Sequence, residues 1–161
     1  VFRGSIRGNL SYGRQNVTDE EFMEALDVVD FGDFVRGLSA GLETQVGAGG
    51  IRLSAGQRQR LGIARAIVAQ PRILIIDEGT ASLDPSSAAE LLQRLYAHLP
   101  DTTILTVARR VGVARDADVI AVVEGGRVAE IGTHQELMAL DSGRYRGLLE
   151  QQYGSLERGT P

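Results

Sequence analysis

The chain has 161 residues and a formal net charge of −4, and all 17 of its basic side chains are arginine. The absence of lysine and cysteine excludes Schiff-base chemistry, disulfides, thiolate nucleophiles and cysteine-ligated zinc. The acidic balance argues against nucleic-acid binding, and the apolar stretches are too short to span a bilayer. No initiator methionine or leader peptide is visible, so we expect the polypeptide to begin upstream of Val1.

The first third of the chain is predicted to be entirely helical. Thr18 is followed three residues later by Glu21, which makes a capping box, and apolar residues at helical spacing then predict a helix over Asp19–Val29. A second short helix is predicted at Phe31–Leu38. The glycine-rich stretch Ser39–Leu53 has no apolar period and is predicted to be a loop.

The rest of the chain alternates strands with helices. A second capping box at Ser54 opens a helix to about Ala69, and Pro71 ends it. The apolar run Arg72–Asp77 predicts a strand buried on both faces, as in a parallel sheet. Asp84 then caps a helix that begins at Pro85, and a strand is predicted at Thr102–Val107. A short helix at about Val111–Arg115 precedes two strands, Asp118–Val123 and Arg127–Ile131, which flank a tight turn. The capping box Thr133–Glu136 predicts a further helix start, and a last helix over Gly143–Tyr153 precedes a tail at Gly154–Pro161 that is predicted to fray. This order predicts an α/β fold with crossovers behind a helical first third.

Three short segments could carry chemistry. The segment Ser54–Gln57 opens a helix, whose free amides and positive dipole end suit a phosphate, although capping boxes also open many ordinary helices. Asp77 and Glu78 end a predicted strand, where Asp77 could hold Mg²⁺, directly or through water, and Glu78 could orient a water molecule as a base. The alternative is that two acids merely end a strand. The third segment is Thr80–Asp84, and its ordinary interpretation is an N-cap at Asp84.

The order and spacing of these segments resemble the nucleotide-binding domain of an ABC transporter. Leu53–Gln57 resembles the family's signature motif, with Ala55 where glycine is usual. Asp77 resembles the Walker B aspartate and Glu78 resembles the catalytic glutamate. Ser82-Leu83-Asp84 resembles the D-loop. The resemblance implies ATP and Mg²⁺ as cofactors. The residues that it implies for nucleotide binding are Ser54, Ala55, Gly56, Gln57, Ser82 and Asp84, with Asp77 as the metal ligand, through water in the family's manner.

Three further segments resemble exporter-type domains in particular, and together they extend the resemblance to nearly the whole chain. They are Phe2–Leu10, similar to the segment after the Q-loop, Thr44–Gly50, similar to the X-loop, and Gly132–Leu137, similar to the C-terminal G-T-H-x-E-L. The resemblance implies an incomplete P-loop NTPase (RecA-like) core with an N-terminal ABC-type helical subdomain. The helical signature subdomain would cover about residues 9–70, the α/β core part about 71–153, and a tail 154–161.

The chain departs from the family's pattern in three places. The Walker A loop G-x-x-x-x-G-K-[ST] and the Q-loop glutamine are absent, so we expect the isolated chain to lack substantial ATPase activity. Arg109 stands where the family usually has its switch histidine. An arginine can contact phosphate, but it cannot act as a neutral acceptor near pH 7. Ala48 stands where the X-loop of exporters usually has glutamate.

The resemblance implies a head-to-tail pair of nucleotide-binding domains, identical or different. Asp77 and Glu78 would serve the ATP of their own domain, and Ser54–Gln57 would reach the ATP of the partner. A membrane-spanning domain on the same polypeptide and a place on the cytoplasmic face of the cell membrane are also implied, with no nucleic-acid partner. One alternative is a non-catalytic or degenerate half-site module that completes a partner's ATP site. Another is a soluble ABC ATPase of DNA maintenance, which the lack of a heptad run before Asp77 disfavours.

Overall fold

A computed structural model of the chain describes residues 1–12 and 14–157, which divide into two compact units at Val107 and Ala108. The first unit contains strand β1 (Gly4–Ser5), helices α1 (Ile6–Leu10), α2 (Asp19–Val28) and α3 (Gly32–Arg36), a 3-10 turn (Gly41–Glu43), β2 (Gln45–Val46), α4 (Ala55–Val68), β3 (Ile73–Asp77), α5 (Pro85–His98) and β4 (Thr103–Val107). The second unit contains a 3-10 turn (Val111–Ala114), β5 (Ile120–Glu124), β6 (Arg127–Gly132), α6 (His134–Met138) and α7 (Arg144–Glu157). Among the described residues, no helix is both long and apolar enough to cross a membrane.

The three predicted capping boxes are all present, and each of them begins a helix. In each box the hydroxyl of the cap accepts from the backbone amide three residues on, and the side chain of that later residue accepts from the amide of the cap. The pairs are Thr18 with Glu21 before α2, Ser54 with Gln57 before α4, and Thr133 with Glu136 before α6. Local sequence alone therefore fixes where these three helices start.

Helix α4 is the centre of the helical layer, because α1 and α2 both pack against it. The apolar side chains buried to 1% exposure or less in these three helices are Ile6, Leu10, Phe22, Leu26, Leu61 and Ala64. Arg60 of α4 also donates to the backbone carbonyls of Val29 at 3.2 Å and Asp30 at 2.6 Å, just beyond the end of α2. The guanidinium thus serves carbonyls that a helix end leaves without partners, and it joins α4 to α2.

The prediction of an entirely helical first third is wrong. β1 pairs antiparallel with β2, with Gly4 opposite Val46 and Ser5 opposite Gln45. The side chain of Val46 is 1% exposed and anchors the pair in the core. Two-residue strands show no measurable alternation of apolar and polar residues, so the sequence pattern could not reveal them. The short helix α1, which Ser5 caps by accepting from the amide of Gly8 at 3.0 Å, was not predicted either.

The strand β3 lies parallel to β4 in continuous register, and α5 makes the crossover between them. This confirms the predicted parallel arrangement. The expectation that β3 is buried on both faces is wrong. Leu74 and Ile76 are 6% and 4% exposed, whereas Ile73 and Ile75 are 64% and 62% exposed. An apolar run shows that both faces of a strand are able to pack against other elements. In the part of the chain that the structure describes, other residues cover only one face of β3.

The second unit is built on a hairpin that covers a small core of its own. β5 and β6 pair antiparallel around Gly125 and Gly126, whose φ angles of 55° and 76° need glycine's freedom in a tight turn. The predicted turn is confirmed. Its hydrophobic core contains the buried side chains of Ile120, Leu137 and Tyr145, which come from β5, α6 and α7.

Two predictions concerned boundaries. The tail was predicted to fray from Gly154, but α7 continues to Glu157, and the remainder of the tail lies outside the described residues. The prediction followed the general tendency of chain ends to fray, which does not prevent a helix from continuing. The predicted boundary near residue 70 lies inside the first compact unit and stays a prediction.

The one-sided burial of β3 can be tested with two substitutions of the same residue type. Ile76→Ala should lower the free energy of unfolding by about 2–5 kcal/mol, because it leaves a cavity on the buried face. Ile75→Ala, on the exposed face of the same strand, should change it by about 0.5 kcal/mol or less. Urea unfolding followed by circular dichroism measures both values. Equal losses in the two variants would contradict the one-sided burial.

Candidate functional site

Asp77 and Glu78 lie at the carboxyl end of β3, beside the end of β4. Asp77 is opposite Val107 in the parallel ladder, and the amide of Glu78 donates to the carbonyl of Val107 at 3.0 Å. Both carboxylate residues are exposed. Ligands of open α/β sheets bind at this end of the strands, so the two acids stand where a ligand could reach them from solvent.

The backbone of Glu78 is held in an unusual conformation. Its φ is 49°, in the left-handed region that residues other than glycine rarely adopt. Its carbonyl accepts from the amide of Ala81 at 2.9 Å, which closes a tight turn. Within this turn, a Cβ atom on Gly79 would lie 2.4 Å from Cγ2 of Ile76. Hydrogen bonds on both sides and a close approach at Gly79 therefore fix the direction in which the chain leaves β3.

The start of α4 presents free backbone donors. Ser54 Oγ accepts from the amide of Gln57 at 3.1 Å, and Gln57 Oε1 accepts from the amide of Ser54 at 2.8 Å. The amides of Ala55 and Gly56 belong to the first turn, whose donors have no carbonyl partner within a helix. A Cβ atom on Gly56 would come no closer than 3.9 Å to Leu83 Cδ2 among the described residues. This open space beside unpaired amides suits an anion.

The loop after β3 and the start of α4 are brought together in the first unit. Ser82 Oγ donates to Oε1 of Gln59, and Nε2 of the same glutamine donates to the carbonyl of Glu78 at 3.3 Å. Sequence reasoning predicted Ser82 and Glu78 as site residues but missed Gln59. A glutamine inside a helix, two residues beyond a capping box, gives no sequence signal of a contact with a loop about twenty residues further on.

Asp84 caps α5, as its ordinary interpretation predicted. Its carboxylate accepts from the amide of Ser87 at 3.0 Å and from the hydroxyls of Ser86 and Ser87, both at 2.6 Å. These hydroxyl and amide donors hold the pKa of Asp84 well below its usual range. The carboxylate is thus committed to the start of α5, and its role toward a nucleotide stays a prediction.

Arg109 lies in the second unit, where it is exposed. The backbone around it is held by Gln152 of α7, whose Nε2 donates to the carbonyl of Arg109 at 2.8 Å. Oε1 of the same side chain accepts from the amide of Val111 at 2.9 Å. Sequence reasoning missed Gln152, because a glutamine on a polar helix face carries no sign of its partners. The structure gives this segment a defined anchor, while the role of the Arg109 side chain stays a prediction.

The first unit fits part of a nucleotide's phosphate chain and its cation. The unpaired amides at the start of α4 suit phosphate oxygens. Mg²⁺ in phosphate sites is commonly held by one or two carboxylates together with water and phosphate oxygens, and Asp77 can supply one of these carboxylates. No group of three or more His, Cys, Asp or Glu side chains within residues 1–12 and 14–157 could hold a metal ion. The chain contains no lysine, so a lysine-bearing phosphate loop is not part of it.

Comparison with known proteins matches these segments to one family. A family model described as ABC transporter matches residues 3–81, which include Ser54–Gln57 and both Asp77 and Glu78. ABC transporter B family member 2 of Dictyostelium discoideum is 41% identical over 94% of this chain and 11% of its own length. The uncharacterized ABC transporter ATP-binding protein YknV of Bacillus subtilis is 41% identical over 96% of this chain and 26% of its own length.

A solved structure shows the same fold. The structure of a bacterial Atm1-family ABC exporter with ATP bound superposes with a TM-score of 0.85 and 34% identity, over 94% of this chain and 26% of that one. The chain belongs to the ABC transporter family, and its fold is part of the P-loop NTPase domain of such a protein. Both the predicted family and the predicted fold class are confirmed. The chain spans between 11% and 26% of the length of these relatives.

Acid should destabilise the chain partly through Asp84. Because folding holds the pKa of Asp84 below its ordinary value of 3.8, the stabilisation is complete above that value and is lost as the pH falls through the lower folded-state pKa. Asp84→Asn keeps an acceptor for the amide of Ser87 but has no charge to titrate. Its free energy of unfolding should therefore fall less between about pH 5 and about pH 3 than that of the unsubstituted chain.

Denaturant unfolding at each pH measures this difference. Asp101→Asn, which changes an exposed acid beyond the end of α5, is the matched control. If Asp84→Asn loses as much stability in acid as the unsubstituted chain, the carboxylate of Asp84 does not contribute in the way described.

Proposed function

We propose that this chain is the part of an exporter-type ATPase domain that carries the signature, Walker B and D-loop segments of an ABC transporter. The observation that carries the proposal is the joining of the start of α4 to the loop after β3, through Gln59, Ser82 and the carbonyl of Glu78. The matches to ABC transporter proteins over most of the chain support it. In this function ATP hydrolysis, with Mg²⁺, drives export across a membrane.

On the chain's own side of the dimer, the end of β3 supplies two carboxylates with different roles. Asp77 would hold Mg²⁺ through water, as a hard oxygen ligand does in phosphate sites. Glu78 would orient the attacking water and accept its proton. Arg109 would contact the terminal phosphate in the place of a histidine. ATP would supply the phosphoryl group, and the chain's own residues would supply positioning and charge.

On the partner's side, the signature segment Ser54–Gln57 would face the phosphates held by a second nucleotide-binding domain. The amides of Ala55 and Gly56 can stabilise the negative charge that grows on the transferred group, without supplying a nucleophile. Ser82 and Asp84 would lie at the seam between the two domains. The partner domain is identical or different, and a membrane-spanning domain on the same polypeptide would hold both at the cytoplasmic face of the membrane.

A second candidate is a half-site module that completes a partner's site and hydrolyses nothing itself. Arg109 favours it, because an arginine cannot be the neutral acceptor that a histidine provides near pH 7. The two candidates differ in whether Glu78 matters for turnover.

The isolated chain should hydrolyse no MgATP above background, because its residues include no lysine-bearing phosphate loop. In the complete transporter, Glu78→Gln should lower kcat by about 10²-fold or more, because the water loses its base. Phosphate release measures both, with Glu90→Gln on the exposed surface of α5 as the control. Robust hydrolysis by the isolated chain that Glu78→Gln abolishes would contradict the first expectation. Unchanged turnover in the transporter would favour the half-site module.

The signature role can be tested with two glycines of α4. Among the described residues, a Cβ atom at Gly56 or at Gly62 would meet only a side-chain atom, at 3.9 Å, so alanine fits the fold at either position. Gly56→Ala should lower the turnover of the transporter dimer by about tenfold or more, because the methyl group takes the place of the anion beside the free amides. Gly62→Ala, on the same helix, should leave it unchanged. Equal turnover in the two variants would contradict a signature role.

Restoring a histidine should raise activity at the chain's own site. In the complete transporter, Arg109→His should increase kcat by about tenfold or more, because a neutral imidazole can accept and return a proton. Arg110→His is the neighbouring control and should have no such effect. Steady-state phosphate release gives the comparison, and an unchanged kcat in Arg109→His would show that the arginine does not limit hydrolysis.

A further inference from the structure

Gln59 makes two contacts outside its own helix, and both go to the loop that follows β3. Its Nε2 donates to the carbonyl of Glu78 at 3.3 Å, and its Oε1 accepts from the hydroxyl of Ser82. The side chain of Gln59 is half-buried, and both contacts lie at the exposed surface of the first unit. One side chain of α4 therefore holds two residues of the loop at once.

An amide is suited to this position because it carries a donor and an acceptor on the same planar group. The carbonyl of Glu78 already accepts from the amide of Ala81 at 2.9 Å, and Gln59 occupies a second acceptor direction of that oxygen. A carboxylate at this position could still accept from Ser82 but could not donate to a carbonyl. The two contacts can therefore be separated by substitution.

The carbonyl that Gln59 holds belongs to the residue with the unusual backbone. Glu78 has a φ of 49°, and its amide is fixed to Val107 at 3.0 Å. A residue held in the left-handed region persists only where the surrounding structure over-determines its conformation. Val107 determines the peptide before Glu78, and Ala81 and Gln59 determine the peptide after it. Gln59 thus belongs to the set of contacts that direct the Glu78 side chain.

We infer that Gln59 is a positioning residue that sets the orientation of the Glu78 carboxylate and links it to the signature end of α4. The inference rests on the proposed function, in which Glu78 serves the chain's own ATP and the start of α4 serves the partner's ATP. Gln59 is two residues beyond Gln57, on the first turns of the same rigid helix. A shift of the start of α4 when phosphate arrives would move the carbonyl of Glu78 through this one side chain. Through this link, hydrolysis of the chain's own ATP would depend on whether the partner's ATP occupies the start of α4.

The test compares Gln59→Ala, Gln59→Glu and Ser82→Ala in the complete transporter, with Gln93→Ala on the exposed face of α5 as the matched control. Gln59→Ala and Gln59→Glu should lower kcat by about tenfold or more, because a misdirected base loses its near-attack geometry, with a KM for ATP that stays within about twofold. Ser82→Ala, which keeps the contact to the carbonyl of Glu78, should cost less than either. A raised KM with an unchanged kcat would overturn the inference.

A second arm asks whether Gln59 acts through Glu78. In the background of Glu78→Gln, Gln59→Ala should cause no further loss, because the group that it positions is already gone. A further tenfold loss in that background would overturn the inference. If Glu78→Gln alone leaves turnover unchanged, the proposed function has failed. If Glu78→Gln lowers kcat and both Gln59 variants do not, the inference has failed and the proposed function stands.

A third arm needs no hydrolysis. Without nucleotide, the peptide covering residues 78–83 should exchange its amide hydrogens faster in Gln59→Ala than in Gln93→Ala, because the turn loses one of its fixed points. Equal exchange would overturn the inference. Should Gln59→Ala fail to fold, Gln59→Glu provides the same comparison of kcat and exchange with its shape nearly unchanged.

Discussion

The hydrogen bond from the amide of Glu78 to the carbonyl of Val107, at 3.0 Å, is the constraint on which the site depends. It continues the parallel ladder of β3 and β4 one residue beyond the strand, and the chain then turns sharply at Gly79. The turn brings Ser82 against Gln59, so a side chain of α4 reaches the end of the sheet. The placement of the two carboxylates and of the loop after them follows from where this ladder ends, and the contact of Ser82 with Gln59 sets them against α4.

The side chains that cap α4 and α5 also limit what the starts of these helices can bind. Ser54 Oγ and the side chain of Gln57 are engaged with each other's backbone amides, so an anion at this end would meet chiefly the amides of Ala55 and Gly56. The carboxylate of Asp84 is likewise engaged with Ser87 at the start of α5. Capping and ligand binding draw on the same few donors and acceptors, and the capping contacts hold these segments in position before any ligand arrives.

Much of the fold was predictable because its signals are local. Capping boxes are set by residues three apart, and the apolar run of β3 and the Gly125-Gly126 turn need no distant partner. The pairing of β1 with β2 joins positions about forty residues apart through two residues each, and no period of such length exists to detect. The exposed face of β3 was missed because an apolar sequence shows only that a strand is able to bury both faces. Whether a face is in fact buried depends on which other elements pack against it.

The sequence by itself determined the family, the starts of the helices, and the residue types at the ends of α4 and β3, because these depend on short motifs and their order. The tertiary structure decided that Glu78 takes a left-handed backbone, that Gln59 joins it to Ser82, and that Gln152 anchors the segment at Arg109. The contacts of Gln59 and Gln152 join residues that are 19 or more positions apart in the chain. They arise only when the parallel ladder and the packed helices fix both partners in space, and no local preference of the chain encodes them.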